Sequence, residues 1–372
     1  MPPKYKKRPD GRYSTHVTVG IKPDGKPLRK TIYAKTIREL EDKSAELRHQ
    51  VSTGTVVTDE NTTVSEWASQ WLKTYKTGVG RGTYEMYEKA VRVHIIPSIG
   101  HMRLKDVKPF HLQSIINSMR DRGITRVTEQ TALTLKQIFK RAVENNLIVK
   151  NSAELIEIPK RQKPKKRALT DEEKKCFESA DLDIKSKAFL FTLLYAGLRR
   201  GEALGLMWDD IDFEGNAISV SKTWVTHKNK PEIKPVPKSE SGNRNIPMPS
   251  KLREILKELA SDAKQPYVFA SENDELMSLS FFRAFWDKIR KQLNTSMGGD
   301  SKNQKIPKDI TPHIFRHSYA TMLFYAGVDV KTAQYLLGHS SITVTMEIYT
   351  HLDKSKIFAV ADKLDGLIAS SQ

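Results

Sequence analysis

The chain has 372 residues, with 62 Lys+Arg against 44 Asp+Glu and a formal net charge of +18. That excess points to a polyanionic partner, with nucleic acid the commonest and an anionic membrane surface the competitor. No apolar run reaches the roughly eighteen residues of a membrane span, the basic start "MPPKYKKRPDGRY" has no apolar signal core, and Cys176 is the only cysteine. A spanning helix, a secretion signal, an internal disulfide and the zinc sites built on several cysteines are therefore not expected, and a reducing cytosol is the expected compartment.

Residues 1–58 read as one small unit. "GRYSTHVTVGI" alternates with the period of a strand, "KPDGK" is a turn signal and "PLRKTIYA" is the returning strand. "TIRELEDKSAELRHQV" is helical, with Ile37, Leu40 and Leu47 on one side. A short basic sheet backed by a helix fits a DNA groove, or alternatively holds a protein partner.

Residues 60–158 read as all-helical. Val64, Trp67, Trp71, Leu72 and Tyr75 recur at helical spacing behind a cap at Thr62 or Thr63, and the two tryptophans are core candidates. "RGTYEMYEKAVRVHI" follows, then a break at "IPSIG", then two further helical patterns. The charged faces around Arg81, Lys89, Arg92, Lys136 and Lys140 either track phosphates or are simply solvated. Residues 159–168 are a basic linker: six of the eight residues from Lys160 to Arg167 are Lys or Arg, and no packed core can be built from them.

Residues 169–372 form the largest unit. "TDEEKKCFESA" opens a helix with a Thr cap and an acidic first turn. "SKAFLFTLLYAGLRRGEALGLMWDDID" is an apolar helical run broken at Gly197. "NAISVSKTWVTHK" and "SGNRNIPMP" read as strands flanking a loop rich in Lys and Pro, and helical patterns continue from Lys251 onward.

Polar groups interrupt these apolar helices at a few places. Arg199, Arg200 and Glu202 directly follow "FLFTLLYAGL", where an arginine must be paired or near solvent. His313, Arg316 and His317 crowd a helix start at Thr311-Pro312. His313 and His317 lie one turn apart as a metal pair would, yet no Glu stands between them and Arg316 is a poor neighbour for a cation. In "LLGHSSITVTMEIYTH", Tyr349 is on its own either a packing residue or a nucleophile.

Taken together, "AGLRRGEALGL", "PKSESGNRNIP", "PHIFRHSYAT" and "LLGHSSITVTMEIYTH" resemble the catalytic domain of the tyrosine recombinase (phage integrase) family. That family shows an Arg in a "GLRxxE" turn, a Lys on a hairpin ahead of "R-x-I-P", an "HxxR", a "GH" and a Tyr about ten residues beyond. "HIIPSIGHMRLKDV" resembles its core-binding domain. The N-terminal sheet plus helix resembles the arm-binding domain of integrases from phages and conjugative transposons of low-GC bacteria. The fold class implied is multidomain α+β: a small sheet-plus-helix arm domain (1–58), an all-helical core-binding domain (60–158), and a mainly α catalytic domain with a small β-sheet (169–372).

The resemblance also implies roles. Tyr349 attacks the phosphodiester. Arg199 and Arg316 hold its non-bridging oxygens, which suits two guanidinium forks on a crowded anionic centre. His313 is the base, because a tyrosine near its unperturbed pKa of ~10 is a poor nucleophile at neutral pH. Lys238 protonates the leaving 5′-oxygen, with Lys234 and Lys222 as nearby alternatives. His339 hydrogen-bonds a phosphate oxygen, and Glu202 orients Arg199 or His313. The second arginine, Arg200, points outward toward the DNA backbone. No metal, nucleotide or other cofactor is required. Expected partners are double-stranded DNA at core and arm attachment sites, three further copies in a DNA-assembled tetramer, and an excisionase or host DNA-bending protein. The apolar stripe Ile357, Val360, Ala361, Leu364, Leu367 and Ile368 either packs on its own core or is exchanged with a neighbouring subunit. A chromosome-dimer resolvase, a topoisomerase of the same chemistry and an inert DNA-binding regulator are the rival readings.

Overall fold

The computed structural model describes residues 5–21, 25–53, 61–158, 167–235, 243–263, 265–271 and 275–349, the Tyr349 side chain excepted. Helices dominate, small sheets accompany them, and the chain divides into two compact units, Met1–Lys163 and Pro164–Gln372.

The first unit opens with an antiparallel hairpin of β1 (Tyr13–Ile21) and β2 (Pro27–Ala34), whose register shifts between Thr18 and Gly20. Strand alternation turns Val17 inward with Val19 and Ile32, and Leu47 of α1 (Ile37–Ser52) covers them. Leu40 and Leu47 lie seven residues apart on one line of α1 and are buried. Ile37 lies about 60° round from Leu40 and is 41% exposed, so it is not part of the inner stripe.

α2 (Val64–Tyr75) starts on a capping box between Thr63 and Glu66. Trp67 and Trp71 are buried, and the Trp67 indole donates to the Ile138 carbonyl at 3.0 Å. α3 (Arg81–Lys89) runs through a π-helical stretch, Ala90–Ile95, into α4 (Ile96–Ile99). The break expected at "IPSIG" is therefore not where the helix ends: the chain stays helical past Pro97. Pro97 has no N–H and its ring would crowd the Val93 carbonyl in an α-helix. The wider π turns relieve this, with Ile96 N–H bonding back to Val91 O. α5 (Pro109–Asp121) and α6 (Thr125–Glu144) share one core with α2, through Leu112, Ile116, Met119, Leu135 and Phe139.

In the second unit α7 (Asp171–Ser179) begins on a Thr170–Glu173 capping box. α8 (Ile184–Tyr195) is buried on every side from Ala188 to Leu194, which makes it the central element. α9 (Arg200–Leu204) follows the turn at Gly197. β3 (Ile211–Asp212) and β4 (Ala217–Val220) come next, then β5 (Lys222–His227), β6 (Lys230–Pro235) and β7 (Arg244–Pro247). β3, β4 and β7 form one antiparallel sheet in that order, while β5 and β6 pair separately. The Lys- and Pro-rich stretch expected as loop thus contains a strand. Lys228 and Asn229 both have positive φ, 46° and 66°, which is the backbone of a tight two-residue hairpin turn. α10 (Ser250–Ser261), α11 (Leu279–Ser296), α12 (Pro312–Tyr325), α13 (Val330–Leu337) and α14 (Ile342–Tyr349) complete the unit.

Arg167, the last residue of the basic run, is anchored. Its guanidinium donates to both oxygens of Glu173 (2.6 and 2.9 Å) and both of Asp309 (2.7 and 2.9 Å). Leu169 N–H then donates to Ser318 Oγ on α12 at 2.8 Å. The start of this unit is so tied to the element that carries His313 and Arg316.

At the core centre Phe189 meets Phe269 and Phe285 edge-on, with ring centroids 5.2 and 5.4 Å apart. Truncating it leaves a cavity the surrounding rings cannot fill. Phe189→Ala is expected to cost about 3–5 kcal/mol in urea unfolding followed by circular dichroism, and a loss under about 1 kcal/mol would contradict this packing.

Candidate active site

The site grows from a turn. α8 ends, Gly197 takes φ 63°, and the chain reverses into α9 with Arg199 at its N-cap. Gly197 is required here. A Cβ would lie 2.1 Å from the Tyr319 ring, and a side chain would resist the left-handed backbone. Glu202 caps α9 by accepting from Arg199 N–H at 2.8 Å, and its other oxygen accepts from the Arg199 guanidinium at 2.6 Å. Glu202 is only 3% exposed.

Two more arginines meet this carboxylate. Arg244 of β7 donates to Glu202 through both terminal nitrogens, at 2.7 and 3.2 Å, and its side chain is completely buried. Arg316 of α12 lies 3.9 Å from Glu202 and donates to the Gly197 carbonyl at 2.6 Å. The end of α13 closes the far side. Arg244 Nε donates to Leu336 O at 2.9 Å, Arg316 donates to Leu337 O, and Arg199 donates to Gly338 O at 2.6 Å. Three successive carbonyls left without helical partners thus each take one arginine, and the negative end of the helix dipole faces the cluster. Gly338 makes this possible by ending α13 in the left-handed conformation, φ 60° and ψ 46°.

Burial alone would raise the Glu202 pKa. The bond to Arg244 and the charges of Arg244, Arg199 and Arg316 outweigh it and hold the carboxyl at about 2. Burial lowers Arg316 to about 9, and the charge of Arg199 adds to the effect. His339, next along from Gly338 and 8% exposed, is pushed down to about 3 by burial and by the charges of Arg316 and Arg199. Its ring is therefore neutral at ordinary pH. His339 Nδ1 lies 2.9 Å from Thr345 Oγ1.

Arg199, Arg316, His339 and Glu202, all proposed from sequence, are brought into one cluster. His313 lies in the first turn of the same helix as Arg316 and is exposed. Tyr349 is the last residue of α14, the helix that Thr345 ties to His339. Lys238 and the apolar tail stripe lie outside the described residues. Of the alternatives to Lys238, Lys222 is paired with Asp210 at 2.9 Å, and Lys234 lies 3.6 Å from Glu232. Arg200 differs from expectation. It stays exposed, but its guanidinium lies over Phe282 and Trp224, 5.2 and 5.6 Å from their centroids, so it is stacked on the protein and not simply pointing outward. Arg244 was not among the sequence candidates. Its only signal was its place in "R-x-I-P", and the partner that explains it lies 42 residues earlier.

Comparison with known proteins gives the family. Residues 167–356 match the phage integrase family, and residues 63–120 match the phage integrase N-terminal SAM-like domain. A XerC-like tyrosine recombinase of Caldanaerobacter subterraneus subsp. tengcongensis is 30% identical, with 94% of each chain covered. The ICEBs1 integrase of Bacillus subtilis is 25% identical over 98% of this chain and 99% of its own. Among solved structures, the Tn1549 transposon integrase in complex with a circular intermediate DNA superposes with a TM-score of 0.70 at 24% identity, covering 82% of this chain and 100% of that one. The chain belongs to the phage integrase family of tyrosine recombinases.

The depressed pKa values make the cluster acid-sensitive. A group held below its ordinary pKa stabilises the fold above that ordinary value, and the contribution is lost as pH falls toward the folded value. For His339 the loss starts below 6.5 and for Glu202 below 4.5. Unfolding free energy is expected to fall from about pH 7 to about pH 5, with His339 contributing about 1–2 kcal/mol of that fall. His339→Gln should flatten this part of the curve in equilibrium unfolding, and an unchanged slope would show that the imidazole is not desolvated as described.

Proposed function

We propose that this chain is the site-specific recombinase of a mobile genetic element, cutting and rejoining DNA through a covalent 3′-phosphotyrosyl intermediate at Tyr349. The observation that carries the reading is the cluster of three guanidiniums around one carboxylate, with the nucleophile's helix tied to the same cluster through His339. Three positive charges against one negative leave a net excess of two. That suits a phosphodiester that gathers negative charge as it is attacked.

In this reading Arg199, the more exposed arginine with 39% of its side chain accessible, meets the phosphate first, and Arg316 supports it from below. Neutral His339 donates to a phosphate oxygen without adding charge. His313, at the solvent edge, takes the tyrosine proton, and Lys238 returns one to the leaving 5′-oxygen. Glu202 and Arg244 keep the two working arginines in place. The phosphotyrosyl bond conserves the energy of the broken strand, so water is not needed and religation reverses the same step. Residues 1–58 would read arm sites and residues 60–158 core sites, joined by the basic linker 159–168 to a catalytic domain from 169 onward. Four copies would assemble on DNA, exchange their tails and answer to an excisionase or a DNA-bending host protein. The relative named ICEBs1 integrase, matched along nearly the whole of both chains, supports the integrase reading, and the extra N-terminal unit speaks against a chromosome-dimer resolvase.

Two measurements test it. On a nicked suicide substrate the protein should form a covalent adduct that Tyr349→Phe does not, and an adduct on the Phe variant would overturn the nucleophile. Deleting residues 1–58 should spare cleavage at a core site and weaken integration from a full attachment site. Unchanged integration would remove the arm-site role.

A further inference from the structure

α14 meets His339, beside the arginine cluster, through a buried polar contact. Thr345 is completely buried, and its hydroxyl oxygen stands 2.9 Å from His339 Nδ1. Apolar packing adds to this contact: Ile348 packs against the cluster of Tyr319, Ala320, Leu336 and Leu337. Ile342, Val344 and Met346 face outward, each 39% exposed or more. Apolar packing sets a distance but tolerates rotation about the helix axis, whereas a buried hydrogen bond with no water to replace it does not. Positions 345 and 349 are one turn apart and share a face, so whatever fixes the rotation at 345 fixes the direction presented at 349.

We propose that Thr345 is a positioning residue: its hydroxyl donates to His339 Nδ1, which sets the rotation of the Tyr349 helix and leaves the imidazole proton on Nε2, free to donate to a phosphate. The inference rests on the recombinase reading, which selects the tautomer with its proton on Nε2. The direction of donation is the one that lets a neutral ring serve a phosphate. A neutral imidazole carries one N–H, and if Nδ1 kept it, Nε2 would offer a lone pair to a phosphate oxygen and repel it. The Thr345 proton on Nδ1 excludes that tautomer. One bond thereby couples two requirements, the aim of the nucleophile helix and the donor state of the histidine.

The test uses the full chain with two variants. Thr345→Val removes the hydroxyl and keeps the branched shape, while Thr345→Ser keeps the hydroxyl. Single-turnover adduct formation on the suicide substrate should slow about tenfold or more in Thr345→Val, the loss of one buried hydrogen bond in the transition state, with core-site affinity within about twofold of the parent. Thr345→Ser should stay near the parent rate. The double variant His339→Ala with Thr345→Val should be no slower than His339→Ala alone, because the hydroxyl acts through the ring. Imidazole nitrogen NMR of histidine-labelled protein should show the proton of His339 on Nε2 in the parent and a tautomer mixture in Thr345→Val. A parent-like rate in Thr345→Val, a Thr345→Ser as slow as Thr345→Val, additive losses in the double variant or an unchanged tautomer would each overturn the proposal. A parent protein that forms no adduct would sink the recombinase reading instead, and the NMR comparison would still decide the role of Thr345.

Discussion

Three guanidiniums that would repel one another are held together by one carboxylate and one helix end. Like charges a few ångströms apart in a poorly solvated interior repel by several kcal/mol for each pair. Glu202 opposes this from one side, at 2.6 Å from Arg199, 2.7 Å from Arg244 and 3.9 Å from Arg316. The C-terminal carbonyls of α13 oppose it from the other, one for each arginine. The compensation is incomplete: burial lowers the pKa of Arg316 most, and the charges of Arg199 and Arg244 lower it further. A site built this way attracts an anion by electrostatics alone, before any particular substrate is considered. Chemistry at a phosphate is the use that matches both the residual charge and the fork geometry of the donors.

The fold meets this demand at two glycines and one cap. Gly197 turns its carbonyl to Arg316 while its missing side chain admits the Tyr319 ring. Gly338 ends α13 in the left-handed region, which leaves its own carbonyl and those of Leu336 and Leu337 to the arginines. Glu202 starts α9 and neutralises the cluster with the same carboxylate, so local helix stability and site electrostatics cannot be separated there. Tyr335 adds a brace, its hydroxyl accepting from Asn245 N–H on β7 at 3.1 Å, and this keeps the strand that bears Arg244 against α13. Sequence-distant elements therefore converge through backbone groups as much as through side chains.

This explains what could be read in the sequence and what could not. Arg199, Glu202 and Arg316 stood out in the sequence as charges set against apolar helical runs, and it was the resemblance to the family's motifs that gave them and His339 their roles. Arg244 was hidden because nothing near it in the chain explains its burial, and its meaning is the pairing with Glu202. The small apolar repeats of the helical units were legible from spacing, whereas the course through Pro97 was not. Proline reads as a stop locally, and the π turns that accommodate it are set by the core on either side, where Val91, Ile95 and Ile99 are all buried. β6 was hidden by its own composition, since lysines and prolines disfavour strands. The turn at Lys228–Asn229 and pairing with β5 override that preference. Arg200 shows the same limit: a charge beside a catalytic candidate looks solvent-bound until Trp224 and Phe282 are seen beneath it.

Exposure separates the work of the three arginines. Arg244 spends all three of its nitrogen positions on Glu202 and Leu336 and has no accessible surface, so it acts on a substrate only through the carboxylate it holds. Arg199 keeps a large accessible face, and Arg316 lies just beneath with few accessible atoms. His339 then supplies what a fourth cation could not. A protonated ring there would add charge to a cluster that is already under-neutralised, and its burial would deny it hydration. A neutral ring offers a hydrogen-bond donor without either penalty, which is why the same environment that gathers the arginines must also hold the histidine uncharged.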